Sequence, residues 1–483
     1  MKKLSQVLIL SLLLVSVFGR NLCFSQTIHI LSVNDIHATV EKMPALASLI
    51  DSLRQEDPEL IVLSAGDNRT GNPINDRYKE PSYPMTAMMN AIGFNASAVG
   101  NHEFDSKVEG LRNQVNKSNF KYLCSNINAP DSMRLHTYPY TFLQAHGVKI
   151  AVLGTIAINS LGIPDCHPNN VIGVTFRQPN DVIPEYRWLK EQSDILLLLS
   201  HDGYKEDIIT ASKYPWIDVI IGGHSHTKVE GGEMHSGVMI TQAVNKLKYA
   251  TLSTITIKDG KVVNKEAKLL TINPKSDKEQ TSHLSSLVSR LLDEFSDNPE
   301  LNSVITQAST PFMTQEDLAN MEMDALISET GADIAIQNGG GVRFNSFPTG
   351  PITVMDILKL DPFGNDAIMY EMTGQEIANF ICNDYDIDMK QTVYVGGCTY
   401  TMQINPTDKS SKKIDILLPN GKPISKTKKY KVVTNSYAAS ISTSPKQDPG
   451  ISLFRPCSDF VIDFLKKQPS VSYTNTHRTK IKL

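Results

Sequence analysis

Short apolar runs that stop on polar, metal-capable residues recur along the first half of this chain. They constrain the fold more than any other feature. "IHILSVNDIH" (28–37) is the first, and "ELIVLSAGDN" (59–68) and "NASAVGNHEFD" (95–105) follow. "VKIAVLGTI" (148–156), "DILLLLSHDG" (194–203) and "DVIIGGHSHT" (218–227) continue the series. Helical stretches such as "MPALASLIDSLRQ" and "YPMTAMMNAIG" separate the early members. Strands alternating with helices predict α/β layers. "YATLSTITIKDGKVVNKEAKLLTI" (249–272) then predicts an antiparallel edge hairpin, turning at Lys258-Asp259-Gly260-Lys261.

At 483 residues the chain is long for one core, which predicts two domains. A polar stretch near 274–280 and a helical pattern at 284–295 separate them. The expected division is a signal peptide over 1–25, a first domain over 26–275, a linker helix over 276–305 and a second domain over 306–483. In the second domain, "EDLANMEMDALISET" reads as a helix and "ADIAIQNGGGVRF" as a strand entering a Gly-rich turn. "DILLPNGKPI" carries an Asn-Gly turn, and "KYKVVTNSYAAS" a late strand.

The N-terminus opens with Lys2 and Lys3, then an apolar run from Val7 to Phe18. That run is short for a membrane span and has the order of a secretory signal, with cleavage expected before Gln26. Export to a periplasm or the exterior is the expectation; lipidation at Cys23 fits the flanking residues less well. No later segment reads as transmembrane. Five cysteines remain after cleavage, widely spaced, and they form no disulfide framework and no CxxC metal site. The net charge of -4 carries no signal for nucleic acid.

In α/β sheets, sites form outside the carboxyl ends of strands. Asp35, His37, Asp67, Asn101, His102, Asp105, His201, His224 and His226 all stand there. A single Asp or Asn after a strand is ordinarily a turn or helix cap. A lone histidine is ordinarily a hydrogen-bonded surface or core residue. The joint series D-x-H, G-D, G-N-H-E-x-D, S-H and G-H-x-H is far more specific. Imidazole, carboxylate and amide donors without thiolate suit zinc, manganese or iron. Seven candidate ligands exceed one tetrahedral shell. Two ions bridged by one carboxylate, roughly 3.5–4 Å apart, would use them all and suit phosphoryl displacement.

With "GNHEFD" and "GGHSHT" in the first half and "NGGGVR" and "DPFGN" in the second, the chain resembles the secreted or periplasmic 5′-nucleotidase family. The resemblance implies a calcineurin-like metallophosphoesterase domain of α-β-β-α layers, a linker helix and a C-terminal α/β nucleotide-binding domain. It implies that Asp35, His37 and His226 hold one divalent ion, that Asn101, His201 and His224 hold a second, and that Asp67 bridges both. The ions would be zinc, manganese, cobalt or magnesium. It implies that His102 is the catalytic histidine, oriented by Asp105. Asn338 and Arg343 match its substrate-binding residues, and Phe363 and Tyr437 its base-stacking pair.

The implied activity is phosphate release from nucleoside 5′-monophosphates for nucleotide scavenging. Nucleotide sugars, 2′,3′-cyclic nucleotides and non-nucleotide phosphate esters are alternative substrates.

The chain departs from the family at three points. Ala38 stands where a glycine is usual, and the run Pro311–Glu316 lacks the usual arginine. Ala438–Thr443 replaces a Gly-Gly-Asp-Gly turn whose Asp holds the ribose, and Asp448 comes late.

Overall fold

The computed structural model of the protein describes residues 25–273, 282–387, 391–408, 412–474 and 476–482. The expected signal peptide, apart from Ser25, and the polar stretch near 274–280 lie outside the described residues. Two α/β domains follow in chain order. The first is built on two six-stranded sheets. One has the order Lys261–Thr271, Tyr249–Lys258, Gln26–Val33, Ile61–Ser64, Ala96–Ala98, Lys121–Leu123. The other runs Glu233–His235, Val238–Thr241, Val219–Gly222, Ile195–His201, Val148–Ile156, Tyr140–Ala145. The central pairings of both are parallel.

Alternation along each strand explains the layering. Ile28 and Ile30 join Ile61, Leu63, Ile195, Leu197 and Leu199 in one core between the sheets. Leu31, Val33 and Val62 face the opposite way, into the core under helices Met43–Glu56 and Tyr83–Ile92. Leu196 and Leu198 serve the outer face of the second sheet. The unbroken "ILLLL" run therefore reads as a strand buried on both faces. Each such leucine contributes about 1.5–3 kcal/mol through burial. The result is the expected α-β-β-α sandwich, and it directs the five strand ends that carry the candidate site residues toward one rim. The 258–261 hairpin forms as expected, with Asp259 and Gly260 in left-handed backbone (φ 55 and 69).

Helix His283–Ser296 covers the expected linker pattern. It does not span open space. The Phe295 ring meets Tyr78 and Tyr83 edge-on, and Ser285 Oγ donates to the Pro44 carbonyl. The helix thus adds to the outer layer of the first domain.

The second domain holds a five-stranded sheet with Ile334–Gln337, Lys429–Asn435 and Asp366–Thr373 at its centre. The expected helix there is Gln315–Thr330, capped reciprocally by Thr314 and Asp317. All five cysteines among the described residues are free thiols.

Candidate metal centre and substrate cavity

The strand ends bring together all nine polar residues singled out in the first domain. Asp35, His37, Asp67, His224 and His226 take left-handed backbone, with φ between 48 and 71. Non-glycine residues adopt that region at a cost, and such strain clusters at functional sites. Ala38, at φ 49, carries the strain that a glycine would avoid. Gly100 packs its backbone directly on the Asp67 carboxylate, leaving no room for a Cβ.

Two groups of donors converge. His37 Nε2 lies 3.1 Å from His226 Nε2, which lies 3.3 Å from Asp35 Oδ1. His201 Nε2 stands 3.2 Å from both Asp67 Oδ2 and Asn101 Oδ1, and His224 Nδ1 stands 3.0 Å from Asn101 Oδ1. Asp67 belongs to groups on both sides: one with His201 and His224, one with His37 and His102. Donor atoms within each group lie within 4.8 Å of one another.

This donor chemistry fits cations. Asp35 and Asp67 are buried; Asp35 accepts from Asn34 Nδ2 (2.6 Å) and the His224 N–H (3.0 Å) and lies 3.3 Å from His226 Nε2, and Asp67 Oδ2 lies 3.2 Å from His201 Nε2. Burial would raise the Asp67 pKa, yet His201 and His102 hold it well below the usual carboxylate range. Burial would lower His201, but Asp67 and Asp35 push it up to about 10. The pocket therefore demands positive charge at the Asp67 carboxylate. His37 goes the other way: burial, then Arg343 nearby, hold its pKa well below the ordinary value, which leaves a neutral imidazole with a lone pair to give.

His102 stands apart. Its Nδ1 lies 2.8 Å from Asp105 Oδ2 and its backbone N–H donates to Asp67 Oδ1 at 2.9 Å, while its Nε2 is 3.9 Å from Asp67 Oδ2. Burial opposes its charge, but Asp67 and Asp105 raise its pKa.

Several residues escaped the sequence reading. Glu103 is buried and accepts backbone N–H groups from Gly100 (2.6 Å), Asn68 (2.8 Å) and Asp67 (3.0 Å), so it locks two donor turns together. It lies inside "GNHEFD", and that position was the only signal. Asn245 Nδ2 meets His226 Nδ1 at 3.0 Å, and Asp165 Oδ2 lies 3.7 Å from His224 Nε2. Neither carries a sequence signal.

The second domain closes the other side of a cavity of about 810 Å³. Asn338, Arg343, Phe363 and Tyr437 all line it, together with Asp67, Asn101, His102, His224 and His226. Phe363 stacks on His102 with ring centroids 5.7 Å apart and planes 25° apart. The Arg343 guanidinium lies 5.6 Å from the Phe363 ring and 3.3 Å from His37 Nε2. Gly339 and Gly341 lack space for a Cβ because of Thr392 and Gln337, so this turn's glycines also serve packing within the domain. Tyr437 sits in the helix Ser436–Ile441, where the missing glycine turn would be. Asp448 is turned elsewhere: its carboxylate caps the N–H groups of Glu371 and Gly450.

Comparison with known proteins agrees with this geometry. Residues 28–228 match the model of the calcineurin-like phosphoesterases, and residues 298–443 match that of the 5′-nucleotidase C-terminal domain. UshA of Yersinia enterocolitica is 26% identical over 457 residues, 82% of this chain and 81% of the relative. A 5′-nucleotidase of Vibrio cholerae is 29% identical over 397 residues, 70% of this chain and 71% of the relative. The crystal structure of a 5′-nucleotidase precursor from Thermus thermophilus shares the fold, with a TM-score of 0.83, 23% identity, and coverage of 95% of this chain and 99% of that one. The first domain is a calcineurin-like phosphoesterase, and so a phosphoester hydrolase. Joined to the second, it makes the chain a member of the 5′-nucleotidase family.

Proposed function

We propose that the protein hydrolyses nucleoside 5′-monophosphates in a site that holds two divalent ions. One observation carries this reading above the others: the convergent donors of the first domain and the Arg343, Phe363 and Tyr437 wall of the second line a single cavity. Asp35, His37 and His226 would hold one ion, Asn101, His201 and His224 the other, and Asp67 would serve both. A donor set of imidazole, carboxylate and amide suits zinc, manganese, cobalt or magnesium. Bound there, the ions supply Lewis acidity and a nucleophile generated from water near neutral pH.

The chain's own groups do the rest. Asp105 fixes the His102 tautomer, and Nε2 of that ring donates to a phosphate oxygen as charge builds in the transition state. Arg343 pairs with the phosphate, which makes its planar fork useful. Asn338, which lines the same cavity, binds the substrate beside Arg343. Phe363 and Tyr437 hold the base by stacking, about 1–3 kcal/mol per base. A water oxygen bonds to phosphorus as the P–O bond to the nucleoside breaks, and the departing 5′-oxygen takes up a proton from that water, giving the nucleoside and inorganic phosphate.

Domain borders at 275/276 and 305/306 belong to the same proposal. The first lies outside the described residues, and the second falls within strand Val304–Ala308, which pairs as a whole with Gly350–Thr353. Export rests on Lys2, Lys3 and the apolar run to Phe18. No helix among the described residues is long and apolar enough to cross a membrane.

A substrate panel tests the activity. Specificity constants for AMP, UDP-glucose, 2′,3′-cyclic AMP and p-nitrophenyl phosphate would be measured with zinc, manganese, cobalt and magnesium. AMP should exceed the aryl ester by at least about tenfold, the scale of one stacked base. Equal constants for AMP and the aryl ester would replace the nucleotide reading with that of a general phosphatase.

A further inference from the structure

One wall of the cavity carries a cation for which the proposed reaction has no use. The segment after strand Val238–Thr241 is strained: Val244, Lys246 and Leu247 have φ of 64, 50 and 46. It is also firmly held. Asn34 Nδ2 donates to the Val244 carbonyl at 2.7 Å, and the Lys246 N–H donates to the Asp35 carbonyl at 2.8 Å. Lys42 Nζ donates to the Lys246 and Leu247 carbonyls, both at 3.2 Å. Strain maintained by so many contacts marks a segment built to aim something.

It aims the Lys246 side chain into the cavity and across the domain boundary. Its Nζ donates to the Arg343 carbonyl at 3.3 Å and lies 5.9 Å from the Phe344 ring. An ammonium has three donors, and this carbonyl takes one. Lys246 forms no ion pair among the described residues. The acid nearest in effect, Glu41, is itself paired with Lys359. Burial, then Arg343, Lys248 and Lys359, push the Lys246 ammonium down to about 8, with Glu41 opposing. A half-buried cation among cations is costly until an anion arrives.

The rest of the wall supplies little of that charge. Four lysine or arginine residues line the cavity, and Lys205 and Lys248 are exposed at its rim. Lys246 and Arg343 are the two that are half-buried. The helix Gln315–Thr330 starts at the cavity with a neutral residue. The Gln315 amide donates to the carbonyls of Val342 (2.6 Å) and Gly339 (3.3 Å) and accepts from Tyr394 Oη (2.8 Å). It braces the Gly-rich turn and brings no charge.

We propose that Lys246 is a second anion-binding residue of the substrate site, holding the phosphate portion of the ester together with Arg343. The first domain then contributes charge recognition as well as metal donors. Because the Arg343 guanidinium lies against His37, a phosphate pairing with it sits beside the donor cluster, within reach of a flexible lysine from the same side. This inference rests on the reading of the cavity as a phosphate-ester site.

Inorganic phosphate, a product, is the direct probe. In full-length holoenzyme, Lys246→Met should raise the inhibition constant for phosphate and the KM for AMP by about tenfold, the scale of one charge-assisted hydrogen bond. The loss should fall more on KM than on kcat, and Lys246→Arg should recover most of it. Lys246→Gln keeps a donor for the Arg343 carbonyl but no charge, so it should behave like Lys246→Met. A glutamine variant with wild-type phosphate inhibition would overturn the proposal, because the tie to Arg343 would then be the whole role. So would a methionine variant whose inhibition constant stays within about twofold of wild type while its thermal midpoint drops. If wild type cleaves p-nitrophenyl phosphate but not AMP, the nucleotide reading fails, while the phosphate inhibition series still decides the role of Lys246.

Discussion

Buried carboxylates behave in opposite ways at two corners of the molecule. At the rim of the first domain, Asp67 faces His201 and His102, and its pKa lies well below the usual range despite burial. In the second domain, Glu322 and Asp361 are both buried, and Glu322 feels the Asp361 charge. Burial and the Asp361 carboxylate raise Glu322 well above its ordinary value, and burial pushes Asp361 up to about 7. Partners decide the direction. Imidazoles keep the first corner anionic and ready for cations. The second corner keeps a proton, two residues before Phe363. The convergent metal donors thus belong to the first domain, and the second closes the cavity with Arg343, Phe363 and Tyr437.

Breaking the anionic corner should have the largest effect. Asp67→Asn removes a carboxylate that both donor groups share, so activity should fall by more than about 10³-fold, beyond the loss expected for one transition-state donor. Bound metal, read by elemental analysis, should fall with it while circular dichroism stays native. His102→Ala sharpens the distinction within that corner. It should lower kcat by about 10²–10³-fold with metal content unchanged, because the proposed ligand sets are complete without His102, although its ring lies among the donors around Asp67. Loss of an ion in that variant would make His102 a ligand.

Phe363→Ala moves to the other region. It should raise KM for AMP by about tenfold and leave p-nitrophenyl phosphate nearly untouched. Wild type should also discriminate AMP from dAMP by well under ~10-fold. A site that hydrogen-bonds a hydroxyl rejects the analogue by about 10⁴ or more in strong cases, and here the carboxylate for that task is absent from the helix after Tyr437.

The smallest effect concerns stability at the protonated corner. Folded Glu322 and Asp361 bind protons that the unfolded chain releases near pH 4. Stability from this pair therefore falls as pH rises from about 4 to about 7 and beyond, toward the Glu322 value. Glu322→Gln should stabilise the protein by about 1–3 kcal/mol at pH 8 and by little at pH 4, read by denaturant unfolding. A stabilisation independent of pH would contradict proton uptake at this corner.

Much of the first region was legible in the chain alone. A strand buried on both faces has to be apolar, so the residue where the run stops is conspicuous. Asp35, Asp67, Asn101, His201 and His224 all stand at or just past such stops. Glu103 was legible as part of a motif but not as a brace, because two of its three N–H partners, Asp67 and Asn68, lie in a turn distant in sequence. Asn245, Asp165 and Lys246 were not legible, since loop geometry and left-handed backbone brought them to the rim. In the second domain, Phe363 and Tyr437 look like any core aromatic when each is taken alone; the family resemblance singles them out, and the shared cavity brings them to one wall. The linker pattern predicted a helix correctly, but its packing on the first domain depends on Tyr78 and Tyr83, far away in sequence.

The central claim is that one carboxylate, Asp67, serves two ions, and counting ions in the active protein tests it most directly. Elemental analysis would be combined with titration of the metal-stripped chain while activity is followed. Two equivalents per chain should be needed for full activity in wild type, and Asp67→Asn should fail to retain the pair. Full activity in wild type with a single equivalent would contradict the account.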